Sequence, residues 1–157
     1  MEEKRYNKIV IVSLYEKFST LVAKAISKDV NMLFCSAREL LAYEIADRKL
    51  MEERCSVEYL KKQENRVLKN LASYENVCVS ISYERFMESF EYFEENSIIV
   101  FIDLPKTYIK QKSKISFVRF NERKKRLEET STLCVRVRKV EVKLVKDKIL
   151  KELGGIL

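Results

Sequence analysis

The chain has 157 residues with 46% apolar and 35% charged side chains and a net charge of +7. That length suits one domain with one sizeable core, and the apolar share is too high for a disordered chain. No apolar run reaches the roughly 18 residues of a membrane span, so a soluble, cytoplasmic protein is expected.

Lys8–Val12 is a short β-rich apolar run, a candidate buried strand. Phe18, Leu21, Val22 and Ile26 follow at helical spacing, and Ser13 with Glu16 fits the S-x-x-E capping box at that helix start. Val30–Phe34 is a second strand candidate. Ser36 and Glu39 make another capping box, ahead of an amphipathic helix marked by Leu41, Ala42, Ile45 and Ala46. Ser56 reads as an N-cap for a helix that turns Leu60, Val67, Leu68 and Leu71 inward.

Val77–Ile81 is a third strand. The stripe Phe86, Met87, Phe90 and Phe93 then marks a helix packed on the core. Ile98–Ile102 fits a parallel strand buried on both faces, stopped by Asp103-Leu104-Pro105 with the proline in the first turn of the next helix. Tyr108–Phe120 is basic and weakly periodic, and Asn121–Glu129 reads as a charged helix. Val135, Val137, Val140 and Val142 nearly alternate with charged residues, which predicts an edge strand with one wet face; Val145–Leu153 closes as a helix. Strand and helix alternate about five times, which predicts a parallel sheet with helices on both faces, a three-layer αβα sandwich.

There is no histidine, which removes the commonest general base and metal ligand. Cys35, Cys55, Cys78 and Cys134 form no CxxC pair and read as reduced, buried thiols, and no metal site is expected. Charge is uneven: residues 104–157 carry sixteen Lys/Arg against six Asp/Glu, whereas residues 1–103 carry fifteen against eighteen.

Several stretches carry a family resemblance. Leu60–Leu68, the strand-bearing segment Asn70–Ser82, the run Ile98–Pro105 and the terminal Leu133–Leu153 occur in an order that resembles shikimate kinase, a P-loop small-molecule kinase. The resemblance implies a P-loop NTPase fold with a five-stranded parallel sheet over residues 1–157, and a degenerate lid over residues 112–130. It also implies four functional places.

The phosphate loop, GxxxxGK[ST], falls on Val12–Ser19. Both glycines are replaced, by Val12 and Lys17, and Phe18 stands where the lysine belongs. Glu16 adds negative charge there, while Ser19 keeps the hydroxyl position and Thr20 follows it. The two family aspartates after the second strand read Ser36 and Arg38, with Glu39 as a shifted substitute. The substrate-carboxylate arginine reads Lys61, with Glu64 retained; lysine keeps the charge and loses the fork. The glycine triplet after the third strand reads Ile81-Ser82-Tyr83. Arg119 is a lid-arginine candidate, and the second substrate arginine falls near Thr130.

The leading expectation is therefore a catalytically degenerate kinase fold with no cofactor, binding an unidentified protein partner or acting in regulation. The alternative is an active or weakly active kinase that transfers phosphate from ATP with magnesium to a small-molecule hydroxyl. It would use Lys17, Ser19 and Thr20 for the phosphates, and Lys61 and Arg119 for the substrate. A third reading, ranked below these, is a nucleic-acid binder through Arg119–Arg126, Arg136 and Arg138.

Overall fold

The computed structural model describes residues 7–45 and 48–154. Five strands, β1 (Lys8–Ser13), β2 (Leu33–Ser36), β3 (Val77–Ile81), β4 (Ile98–Asp103) and β5 (Leu133–Arg136), form one parallel sheet in the order β2-β3-β1-β4-β5. Among them lie α1 (Glu16–Asp29), α2 (Ala37–Glu44), α3 (Arg48–Arg54), α4 (Val57–Ser73), α5 (Tyr83–Phe93), α6 (Lys106–Lys112), α7 (Phe117–Thr130) and α8 (Val142–Leu153).

Every residue of β1, β3 and β4 is buried, as strands covered on both faces require. Side chains alternate across the sheet. Ile9 and Ile11 enter one core with Val22 and Ile26 of α1 and Ile149 of α8. Val10 and Val12 enter the other with Leu68 and Leu71 of α4 and Phe86 of α5. Helix α7 serves both cores, Phe120 on one and Leu127 on the other. The expected three-layer sandwich is thus the observed architecture.

The edge strands differ from expectation. The second strand begins at Leu33 and not at Val30, because Val30 closes α1 by donating its N–H to the Ile26 carbonyl (3.0 Å). Asn31 then turns the chain at φ 55°, a left-handed geometry that asparagine tolerates. The fifth strand is only four residues long, Leu133–Arg136. Val137 N–H makes one more bond, to the Asp103 carbonyl (3.0 Å), and the chain then turns, so Val140 and Val142 pack at the start of α8 and not along a strand.

Helix α7 begins at Phe117, four residues before the expected Asn121, with Ser116 Oγ accepting from Arg119 N–H (3.2 Å). Pro105 is the N-cap of α6, just ahead of its first turn. Of the four thiols only Cys78 is fully buried. Cys134 is exposed because β5 is an edge, and Cys35 and Cys55 are half-buried. The caps expected at Ser36 and Ser56 are made, by Oγ accepting from Glu39 N–H (3.3 Å) and Tyr59 N–H (3.2 Å). Ala46 lies outside the described residues. No helix among the described residues is long and apolar enough to cross a membrane.

Candidate functional site

In an open parallel sheet, ligands gather at the carboxyl ends of the strands. At that end a cleft of about 930 Å³ opens beside the β1–α1 junction. Only Leu14 and Tyr15 separate the last residue of β1 from the first of α1. A phosphate loop needs a longer excursion, so that successive N–H groups can turn toward one anion. Of the eight residues matched to that loop, Val12 and Ser13 belong to the strand and Glu16–Ser19 to the helix.

The Ser13–Glu16 capping box expected here is not formed. Ser13 ends the strand, and its hydroxyl accepts from Tyr15 N–H (3.2 Å) and donates to Tyr15 O (2.8 Å). Tyr15 is the N-cap and makes no side-chain capping bond. Its carbonyl accepts from Phe18 N–H (3.2 Å) and Ser19 N–H (3.4 Å), which closes the first turn at once. Tyr108 of α6 packs edge-on against Tyr15 and Phe18, with centroids 5.8 and 6.4 Å away. Burial and the neighbouring Tyr15 push the Tyr108 hydroxyl pKa up.

The hydroxyls at the positions that the resemblance assigns to metal and phosphates have partners within the fold. Ser19 is fully buried and donates to the Glu16 carbonyl within its own helix (3.1 Å). Thr20 Oγ1 donates to Ser80 Oγ on β3 (3.2 Å), tying α1 to the sheet. Neither residue lines the cleft, whereas Lys17 does, from an exposed position on its rim. Phe18, in the lysine position, is only 5% exposed and belongs to the core.

The charges around the junction are reversed relative to the kinase pattern. The acid stands in the loop stretch, as Glu16, and the base after β2, as Arg38. They meet in a two-point ion pair, Nε to Oε1 at 2.7 Å and Nη2 to Oε2 at 3.4 Å. The hydrogen bond and charge of Glu16 hold the Arg38 guanidinium above the ordinary arginine range. Arg38 is 76% exposed, so the pair adds about 1 kcal/mol at most to stability.

Deeper in the cleft, Arg85 of α5 binds the buried Glu64 of α4 and lies 3.4 Å from Glu88. Burial alone would lower the Arg85 pKa, but hydrogen bonding to Glu64 and the charges of Glu64 and Glu88 outweigh it and raise the value. Arg123 of α7 binds Glu84 (3.0 Å) and stacks 4.8 Å over the Tyr83 ring. Lys61 stands exposed on the wall of the cleft, on the same helix as Glu64. Arg119 is exposed and does not line the cleft.

The cleft therefore gathers Lys17 and Lys61 from the expected set, and adds Arg85 and Arg123. Arg123 stands one helical turn beyond Arg119, and that i,i+4 relation was the available signal for it. Arg85 had a weaker one, the first turn of a Ser82-capped helix. The segment 112–130 consists of the end of α6, a connector and the whole of α7. Thr130 ends that helix, with Oγ1 donating to the Arg126 carbonyl (2.8 Å). Among the described residues no group of three or more Cys, Asp or Glu could hold a metal ion.

No family model matches the chain, and no curated protein matches it either. Solved structures do. Shikimate kinase from Aquifex aeolicus superposes with a TM-score of 0.74 at 21% identity, over 94% of this chain and 96% of that one. Shikimate kinase from Acinetobacter baumannii, solved with shikimate, gives 0.72 at 12% identity over 98% and 97%. A gluconokinase from Sinorhizobium meliloti gives 0.57 at 15% identity over 96% and 94%. The architecture is that of shikimate kinase and related P-loop small-molecule kinases.

Proposed function

We propose that this chain keeps the shikimate kinase fold without its chemistry, and works as a non-enzymatic binding or regulatory protein of the cytoplasm. The observation that carries this reading is the β1–α1 junction, two residues long and closed by the Glu16–Arg38 pair. Phosphoryl transfer depends almost wholly on positioning and on neutralising charge. MgATP does not fit this junction. Phe18 and Ser19 N–H are already bonded to the Tyr15 carbonyl, the Ser19 hydroxyl is turned into its own helix, and the Glu16 carboxylate lies in the stretch matched to the phosphate loop.

Two like charges about 4 Å apart repel by roughly 4 kcal/mol near a protein surface, and the pairing of Glu16 with Arg38 offsets part of that repulsion. Opening the junction into a loop would force Leu14, Tyr15 or Lys17 toward left-handed geometry at roughly 1–2 kcal/mol each. Neither Ser36 nor Arg38 can act as a carboxylate base at the positions matched to the two family aspartates.

Isothermal titration with MgATP tests the proposal. No heat of binding is expected up to millimolar nucleotide. Saturable binding with a micromolar Kd would contradict it and restore the kinase reading through Lys17.

A further inference from the structure

The stretch Leu104–Asn121 carries Lys106, Lys110, Lys112, Lys114 and Arg119 and no carboxylate. It covers α6, the connector and the first turn of α7. Ile109 and Phe120 anchor it in the core beside α1. Close to the second anchor, Phe117 and Val118 stand 54% and 64% exposed, the one consecutive pair among the exposed large apolar side chains of the described residues. Adjacent exposed apolar side chains rimmed by charge mark a surface that meets another apolar phase. We propose that this surface, centred on Phe117 and Val118, docks on an anionic lipid membrane, lying on the bilayer and not crossing it.

The cations around the pair are available to lipid headgroups. Lys110, Lys114 and Arg119 are exposed, and among the described residues none of them pairs with a carboxylate. Lys106 Nζ lies 3.1 Å from the centre of the Phe117 ring, which joins α6 to α7 and puts a cation beside the apolar pair. Partial burial, and then the charge of Lys110, lower the Lys106 pKa, so these two ammonium groups are close enough to repel. An anionic surface relieves that repulsion. Ser116 Oγ accepts from Arg119 N–H (3.2 Å) and fixes the turn that presents the pair.

A bilayer suits these residues better than a nucleic acid. Lysine supplies the charge at 106, 110 and 114, and its long stem lets the ammonium reach headgroups while apolar neighbours enter the interface. A phosphodiester chain would favour the guanidinium fork and an open ring for base stacking, whereas Lys106 covers one face of the Phe117 ring. Phe117 and Val118 do not line the β1–α1 cleft; Lys112 does, and belongs to the cleft and not to this surface. Docking here does not depend on the loss of catalysis.

Co-sedimentation of the full chain with lipid vesicles tests it. Binding is expected to phosphatidylcholine vesicles that contain about one-third phosphatidylserine, falling as salt rises, and not to phosphatidylcholine alone. Each cation at such a surface strengthens binding roughly fivefold, so Lys110→Ala with Lys114→Ala should weaken it roughly 30-fold. Phe117→Ser with Val118→Ser alters two exposed positions, keeps every charge, and should weaken binding roughly tenfold or more. Lys62→Ala with Lys69→Ala, both exposed on α4 in the opposite helical layer, removes the same charge as the first pair and should leave binding unchanged. No binding to the anionic vesicles at low salt would overturn the proposal, as would equal effects of the two lysine pairs or an unchanged affinity of the Phe117/Val118 variant. So would binding of a labelled oligothymidylate in place of the vesicles, with the same dependence on Lys110 and Lys114.

Discussion

Arg85→Ala is expected to lower the unfolding free energy by about 3 kcal/mol in urea denaturation. Glu64 is 4% exposed, and Arg85 brings it a guanidinium from the next helix. Removing that guanidinium takes a principal partner from a buried carboxylate, whose desolvation remains. Arg85→Lys keeps the charge but not the fork, and should recover only part of the loss. Glu88→Ala should cost less than about 1 kcal/mol, because Glu88 is 45% exposed and its pair with Arg85 is 3.4 Å long. Equal losses for Arg85→Ala and Glu88→Ala would show that the buried contact does not dominate. The pair also joins α4 to α5 across the cleft, so its loss should loosen the wall that carries Lys61.

The second large effect is alkaline. Cys78 is the second residue of β3, fully buried, and burial pushes its thiol up to about 12 from 9.0. Between those values the unfolded chain has lost a proton that the folded chain keeps, so stability falls as pH rises. The contribution is fully present below about pH 9, declines by about 1.4 kcal/mol per pH unit, and amounts to a loss of about 4 kcal/mol near pH 12. Cys78→Ala introduces a cavity cost that does not vary with pH, and should remove this slope.

Lys8 works in the opposite direction. Burial lowers its pKa from 10.5, more than Glu75 raises it, so stability rises with pH between the lowered value and 10.5. The difference between wild type and Cys78→Ala isolates the thiol from this background. Parallel stability–pH curves for the two proteins would contradict the assignment.

Much of the fold can be read from the sequence because parallel strands covered on both faces are nearly continuous apolar runs. Lys8–Val12, Val77–Ile81 and Ile98–Ile102 stand out for that reason, and they are the three inner strands. The edges are harder to read. β2 and β5 have four residues each and are partly exposed, so neighbouring apolar residues that belong to helix ends dominate the pattern. Val30 and Met32 pack on the core from a helix terminus and a turn, and sequence periodicity does not separate those roles from a strand.

The candidate site is legible where residue type alone decides it. That the stretch matched to the phosphate loop holds no glycine, and that Ser36 and Arg38 stand at the positions matched to the aspartates, needs no coordinates. The partners of these residues do need coordinates. Ser13/Glu16 and Ser36/Glu39 have the same spacing, yet only the second serine caps its helix, because Ser13 is still in the strand and α1 begins three residues later. The Glu16–Arg38, Arg85–Glu64 and Arg123–Glu84 pairs join residues 22, 21 and 39 positions apart, and no local pattern announces them.

The Glu16–Arg38 pair also bears on the proposed reading. A carboxylate in the loop stretch and a guanidinium after the second strand would each be awkward alone. Together they satisfy one another beside the β1–α1 junction.

The central claim is that the β1–α1 junction no longer holds phosphate. Amide nitrogen–proton spectra of the labelled protein during a MgATP titration test it residue by residue. The signals of Leu14–Thr20 should stay in place through millimolar nucleotide, with Ser19 held in its helical turn. Saturable shifts concentrated on those amides would contradict the account and return this chain to the nucleotide-binding kinases.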